Sequence, residues 1–126
     1  MNITYSINKI LHIVYLKYTG NPDFDEWANT MCAVFRDPNF ETGYHFIMDR
    51  RQVKTAPTRE YVERIVDFAR LHSFELGNCR TALIVSDIAS YGMGRMSQGI
   101  MVDTDSIKIF NDIEEAKQWL SPQIQS

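Results

Sequence analysis

Short β-type runs alternate with helical apolar patterns along this chain, and that alternation constrains its fold more than any other feature. In the first 18 residues, Ile3, Tyr5 and Ile7 alternate with polar residues, and a run rich in β-branched and aromatic residues follows at 10–18. This pattern predicts a β-hairpin. Compact apolar runs at 44–48, 81–85 and 107–110 predict three more strands.

Helical patterns fill the intervals between these strands. Asp23 with Glu26, and Asp112 with Glu115, have the spacing of a capping box, in which a side chain at the helix start accepts a backbone N–H. Pro57 suits the first turn of another helix. We predict four helices, which begin near residues 23, 57, 93 and 112 and end at Asp37-Pro38, at Gly77-Asn78, beyond Met101 and at Pro122.

The predicted order is ββαβαβαβα, without an internal repeat. Strands joined through helices must run parallel, whereas the two hairpin strands are antiparallel. The fold class is therefore α/β, with a mixed, mostly parallel five-stranded sheet packed with about four helices. A length of 126 residues suits one domain with one core, so we expect residues 1–126 to form a single domain.

Composition excludes several classes of function. The net charge of −3 argues against affinity for nucleic acid or an anionic membrane surface, because both need a basic protein surface. The sequence has no export signal and no apolar run long enough to span a bilayer, so we expect a soluble cytoplasmic protein. Cys32 and Cys79 lack the spacing of a disulfide framework or a zinc site, and we predict no metal and no cofactor.

Polar loops follow the parallel strands, where α/β sheets bind their ligands. Asp49 and Asp87 end two such strands and could face each other as an acid and base pair. Helix capping by Asp87 and an ion pair from Asp49 to Arg50 or Arg51 explain the same residues more simply. We interpret His12 and His45 as strand residues and His72 as a helix-end residue. The sequence therefore predicts no catalytic residues and no enzyme.

The segment "YGMGRMSQ" at 91–98 has two glycines that are typical of phosphate-binding loops. It lacks the last small residue of a dinucleotide fingerprint and follows the fourth strand rather than the first. Close helix packing at Gly92 and Gly94 is the better interpretation. The segment then belongs to a methionine-rich helix.

Four blocks in this order resemble the STAS-like family, of the SpoIIAA type that is found in bacterial anti-sigma-factor antagonists. They cover most of the chain from residue 44 onward and read "FIMDRRQV" (46–53), "PTREYVERIVDFAR" (57–70), "ALIVSDIASYGMGRM" (82–96) and "IKIFNDIEEAKQWL" (107–120).

The resemblance implies a non-catalytic regulatory module that acts through protein–protein contact. Relatives with a known role carry a phosphorylated serine after the third strand, in an Asp-Ser-Ser-Gly-type turn. This chain matches the Asp with Asp49 but has Arg50, Arg51 and Gln52 at the next positions. Thr55 and Thr58 could accept a phosphate, although helix capping explains them without one. The predicted partner-binding or regulatory residues are Asp49, Arg50, Arg51, Thr55, Thr58, Ser86, Asp87 and Arg95.

Some members of the family are also likened to lipid carriers, which implies an alternative function as a small apolar-ligand or lipid-binding protein. Tyr91, Met93, Met96 and Met101 would line that pocket. The same residues could bury a homodimer contact, because successive right-handed crossovers place helices on one sheet face and leave the other partly bare. Strand residues would contribute to such a contact: Tyr5, Tyr15 and Tyr18.

Overall fold

Five strands form a single sheet in which each strand pairs with the next one along the chain. The computed structural model describes residues 2–53, 57–86 and 106–121. The hairpin strands are antiparallel and the other three pairs are parallel, which confirms the predicted mixed sheet. The strands are β1 (Ile3–Asn8), β2 (Ile13–Tyr18), β3 (His45–Asp49), β4 (Thr81–Ile84) and β5 (Ile107–Phe110).

The helices begin where the capping residues predict. The Asp23 carboxylate accepts the Glu26 N–H at 2.8 Å, and the Asp112 carboxylate accepts the Glu114 N–H at 2.8 Å. These bonds satisfy backbone donors that have no partner inside the helix. Four helices lie in the described ranges: α1 (Phe24–Arg36), α2 (Arg59–Leu71), α3 (Ser73–Leu76) and α4 (Ile113–Leu120).

The hairpin turn extends further than the sequence predicts. His12 has φ of 60° and lies in the turn rather than in a strand, so its assignment to a strand was wrong. The Asn8 side chain accepts the N–H groups of Ile10 and Leu11, both at 3.0 Å, and thereby holds the turn. For this reason β2 begins only at Ile13.

The second predicted helix is interrupted before Gly77. α2 ends at Leu71, and the ring of the next residue, His72, packs 4.3 Å from Phe68 and 5.3 Å from Phe35. The short α3 then ends at Leu76, and the next residue, Gly77, has a φ of 59°, a left-handed value that glycine adopts without steric strain. The predicted methionine-rich helix from Met93 to Met101 lies outside the described residues.

Helices pack on both faces of the sheet. One face carries α1 and α2, which meet through aromatic rings such as Trp27 and Phe68, 5.1 Å apart. The opposite face carries α4, whose Ala116 and Leu120 are buried against β2–β5. Among the described residues, an open groove of about 640 Å³ lies between α4 and the hairpin on this face.

The three tyrosines predicted to form a common dimer surface are divided between the two faces. Tyr18 is buried and Tyr5 packs against the same core, on the side of α1. Tyr15 packs against the core of the α4 side. Successive strand residues alternate between the faces, and this alternation separates Tyr15 from Tyr18.

Candidate functional site

The predicted contact residues after β3 lie at the carboxyl end of the sheet. Asp49 is the last residue of β3, between Lys17 of β2 and Ile84 of β4. The chain turns immediately afterwards, with the Arg50 N–H donating to the Ile84 carbonyl at 2.8 Å and the Val53 N–H to the Arg50 carbonyl at 3.0 Å. These bonds hold the backbone of the turn against the end of β4.

Asp49 forms a compact polar cluster with Arg51 and Tyr15. One carboxylate oxygen accepts the Arg51 backbone N–H at 3.2 Å and its Nε at 2.9 Å. The other accepts Arg51 Nη2 at 2.6 Å and the Tyr15 hydroxyl. Planar guanidinium and carboxylate groups match in this two-point arrangement, so the pair has a fixed geometry.

The cluster keeps Asp49 ionised. Burial alone would raise the pKa of Asp49, but the hydrogen bonds from Arg51 and Tyr15 outweigh burial and bring the pKa to about 2. A carboxyl with that pKa does not supply a proton near neutral pH. Asp49 therefore has the properties of a structural carboxylate, which agrees with the ion-pair interpretation of the sequence.

Arg50 points to the opposite face of the sheet, into the interior. Only 5% of Arg50 is exposed, and its guanidinium carbon lies 4.8 Å from the centre of the Tyr18 ring. This distance is typical of a cation–π contact. The sequence predicts Arg50 among the partner-binding residues of a loop, and the structure places its side chain beside a cavity.

The cavity lies between α2 and the sheet and has a volume of about 270 Å³. Apolar side chains from α1, α2 and four strands form most of its wall. Arg50 contributes a charge, and Tyr18 and Tyr61 contribute hydroxyl groups. The apolar lining includes Trp27, Met31, Phe46, Met48, Val62, Ile65, Phe68, Leu76, Leu83 and Ile107.

Two titratable groups of this lining, Tyr18 and Cys79, are neutral near pH 7. Burial raises the pKa of Tyr18 far above its usual value, so its hydroxyl remains protonated, and it contacts the Met48 sulfur at 3.7 Å. Burial also raises the pKa of the Cys79 thiol to about 11. Among the described lining residues none is Asp or Glu. The described cavity wall is therefore mostly apolar, with hydroxyl groups and one charged side chain, Arg50.

Two of the remaining predicted site residues are described, Thr58 and Ser86, and neither lines this cavity. Thr58 caps α2, with its hydroxyl accepting the Tyr61 N–H at 3.1 Å, and Ser86 is exposed just after β4. Helix capping is thus the observed role of Thr58. The predicted residues that lie outside the described ranges are Thr55, Asp87, Tyr91, Met93, Arg95, Met96 and Met101.

The described part of the chain lacks two other structural features. Within residues 2–53, 57–86 and 106–121, no three His, Cys, Asp or Glu side chains are grouped closely enough to hold a metal ion. No helix in those ranges is both long and apolar enough to cross a membrane.

Comparison with solved structures identifies the fold. An uncharacterised protein of the DUF3478 family from Shewanella loihica PV-4, described as having a SpoIIAA-like fold, superposes with a TM-score of 0.66 over 94% of each chain. This chain has a SpoIIAA-like fold. The two sequences are 14% identical, and the SpoIIAA-like fold is the fold that the sequence blocks predict. No protein-family model and no curated protein matches the chain.

Sequence reasoning missed the cavity. The SpoIIAA-like fold brings Tyr18, Arg50 and Tyr61 together from three separate segments, and no local motif marks their convergence. One signal was present: Arg50 follows Asp49 at the end of a strand, where alternation sends neighbouring side chains to opposite faces. Extending that alternation one residue beyond β3 would have placed Arg50 on the same face as Phe46 and Met48.

Proposed function

We propose that this chain is a non-catalytic binding module that holds a small apolar molecule in the cavity between α2 and the sheet. The observation that carries the proposal is the cavity itself, about 270 Å³ in volume with a mostly apolar wall and few polar groups. Small-molecule sites have this composition, in which apolar walls supply binding energy and a few polar groups set orientation. We expect the module to act in the cytoplasm.

Cavity size limits the ligand. A water molecule occupies about 30 Å³ in the liquid, so the cavity has room for about nine such volumes. That is the scale of a molecule with about ten non-hydrogen atoms. The neutral probe 1-octanol has this size and measures apolar binding without a charge.

A titration of the purified protein with 1-octanol, followed by calorimetry and by backbone NMR shifts, tests the proposal. We expect a dissociation constant below about 1 mM, with shifts at residues of α2, β3 and β4. Replacing Ala69, which lines the cavity, by Trp should abolish binding because the indole fills the space. Ala33→Trp is the matched control, since Ala33 is exposed on α1.

The result that contradicts the proposal is equally specific. If 1-octanol causes no saturable shift in the wild-type protein, the cavity is not an apolar binding site. If it binds equally to the wild-type protein and to the folded Ala69→Trp variant, the ligand lies elsewhere.

Protein–protein contact is the second candidate function. It is favoured by the position of Arg51, whose side chain is 43% exposed at the carboxyl end of the sheet and held in one orientation by Asp49. The other predicted contact residues, including Thr58 and Ser86, belong to the same hypothesis. Comparing the proteins captured by wild type and by Arg51→Ala, with Arg36→Ala as an exposed control, tests it: unchanged capture would exclude this surface.

A further inference from the structure

We propose that the molecule held in the cavity is an aromatic compound with fused rings, rather than a saturated ring or an alkyl chain. This inference rests on the proposed function and adds the chemical class of the ligand. It starts from the residues of the cavity wall, several of which carry aromatic rings or thioether sulfurs: Trp27, Phe46, Phe68, Met31 and Met48.

Two of these rings come from different helices and meet nearly at right angles. The ring centres of Trp27 in α1 and Phe68 in α2 are 5.1 Å apart, and the ring planes are inclined by 71°. Edge-to-face pairs of this kind are favourable because the positive edge of one ring meets the negative face of the other. An aromatic ligand beside this pair can extend the same packing. A saturated ring has no such charge distribution, so it gains only from the burial of its surface.

Methionine sulfurs add a second preference for aromatic rings. Met31 is 3% exposed on α1, Met48 is partly buried on β3, and both line the cavity. A thioether sulfur is polarisable and makes favourable contacts with aromatic rings, often at the ring edge. The helical layer and the sheet therefore each supply one sulfur to the wall.

The cavity also favours a rigid ligand over a flexible one. An alkyl chain loses conformational freedom when it is confined, and this loss reduces its affinity. A fused-ring compound has no rotatable bond within its rings, so it avoids that loss. The volume of about 270 Å³ corresponds to about ten non-hydrogen atoms, which is the size of two fused six-membered rings.

Three probes separate these preferences. The compounds 2-naphthol and decahydro-2-naphthol have the same carbon skeleton and the same hydroxyl group, and they differ in aromaticity. Both are uncharged at neutral pH, so charge plays no part in the comparison. The third probe, 1-octanol, supplies a flexible chain of similar size.

Calorimetric titration of the full chain at neutral pH measures the affinity of each probe. We expect 2-naphthol to bind at least about fivefold more tightly than decahydro-2-naphthol, because contacts with rings and sulfurs add to the burial of a similar surface. It should exceed 1-octanol by at least the same factor, because the chain also loses conformational freedom.

Replacing one ring of the wall tests where this preference arises. Phe68→Leu keeps an apolar side chain and should lower 2-naphthol affinity about fivefold, with decahydro-2-naphthol affinity unchanged within about twofold. Phe24→Leu is the matched control and should change neither affinity. Phe24 packs against the same two rings, 6.0 Å from Trp27 and 6.3 Å from Phe68, but it is not among the described residues of the cavity wall.

Should Phe68→Leu not fold, Met31→Leu replaces it, because this change removes a sulfur from the wall at nearly constant volume. It should lower 2-naphthol affinity about twofold or more and leave decahydro-2-naphthol affinity unchanged.

The possible failures are distinguishable. If 2-naphthol binds wild type no more tightly than decahydro-2-naphthol or 1-octanol, the aromatic inference is overturned while the apolar site stands. The same inference is overturned if the folded wall variant keeps the full preference for 2-naphthol. If none of the three probes binds, the proposed function itself is overturned.

Discussion

Arg50 and Arg51 are neighbours in sequence but occupy opposite faces of the sheet in very different surroundings. Arg51 is half-exposed and forms a two-point pair with Asp49, which also accepts the Tyr15 hydroxyl. Arg50 is buried against Tyr18 beside an apolar cavity. The alternation of strand side chains therefore continues past the end of β3 and gives two like residues different surroundings.

Reversing the charge of each arginine should separate these roles most strongly. Arg50→Glu places a carboxylate in the cavity wall and should lower the free energy of unfolding by about 3–5 kcal/mol. Arg51→Glu, on the exposed side, should cost only about 1–2 kcal/mol. Urea unfolding of both variants measures the difference, and equal costs would show that Arg50 is not in a more buried environment than Arg51.

Removing the Asp49 charge tests the exposed side of the comparison. Asp49→Asn should lower the free energy of unfolding by about 1–3 kcal/mol at neutral pH, because Arg51 loses its charged partner. The pKa of Asp49 is about 2 in the folded protein against a usual 3.8, so its stabilisation is complete above about pH 4 and is lost as pH falls toward 2. Between pH 7 and pH 2, the free energy of unfolding should therefore fall more in wild type than in Asp49→Asn. If it falls equally in both proteins, Asp49 is not stabilised by the ion pair.

Replacing a leucine of the cavity wall by the larger phenylalanine tests whether the cavity is empty. Leu83 lines the cavity, and Leu83→Phe should change the free energy of unfolding by less than about 1 kcal/mol. Leu16 lies in the dense core of the same face with no exposed area, and Leu16→Phe should cost about 1–3 kcal/mol. Thermal unfolding measures the stability of both variants. Similar losses of stability would mean that the cavity has no room for a larger side chain.

The hydrogen bond that caps α2 should contribute less than the contacts above. Thr58→Ala removes the hydroxyl that accepts the Tyr61 N–H and should cost about 1 kcal/mol, whereas Thr58→Ser should cost little. Chemical unfolding of the three proteins checks this. If the alanine and serine variants are equally stable, the hydrogen bond from Tyr61 to Thr58 does not stabilise α2. Helix capping would then no longer explain Thr58 without phosphorylation.

Much of the architecture could be predicted from the sequence because it depends on local patterns. Apolar alternation and β-branched runs marked all five strands, and Asp23 and Asp112 marked two helix starts. The predictions were wrong where contacts between separate residues, rather than a local pattern, determine the backbone. His12 adopts a left-handed turn that Asn8 holds, and His72 interrupts a helix where its ring packs against Phe35 and Phe68.

The candidate site was predicted only in part. Asp49 and Arg51 form the ion pair that the sequence predicts. They are two residues apart, so a local contact between them can be predicted from the sequence. The cavity depends on the distance between α2 and the sheet, which is set by the packing of α2 on α1 through rings such as Trp27 and Phe68. That distance is a property of the assembled layers, and single-sequence periodicity contains no measure of it.

The order of the strands in the sheet also bears on how the chain reaches its folded state. Each strand lies beside the one that precedes it along the chain, so no strand has to enter between two that are already paired. Contacts between elements of small sequence separation form faster than distant ones. During synthesis, a nascent chain that has emerged through Ile84 already contains four of the five strands, and β5 with α4 can then add to one edge as the last step of assembly.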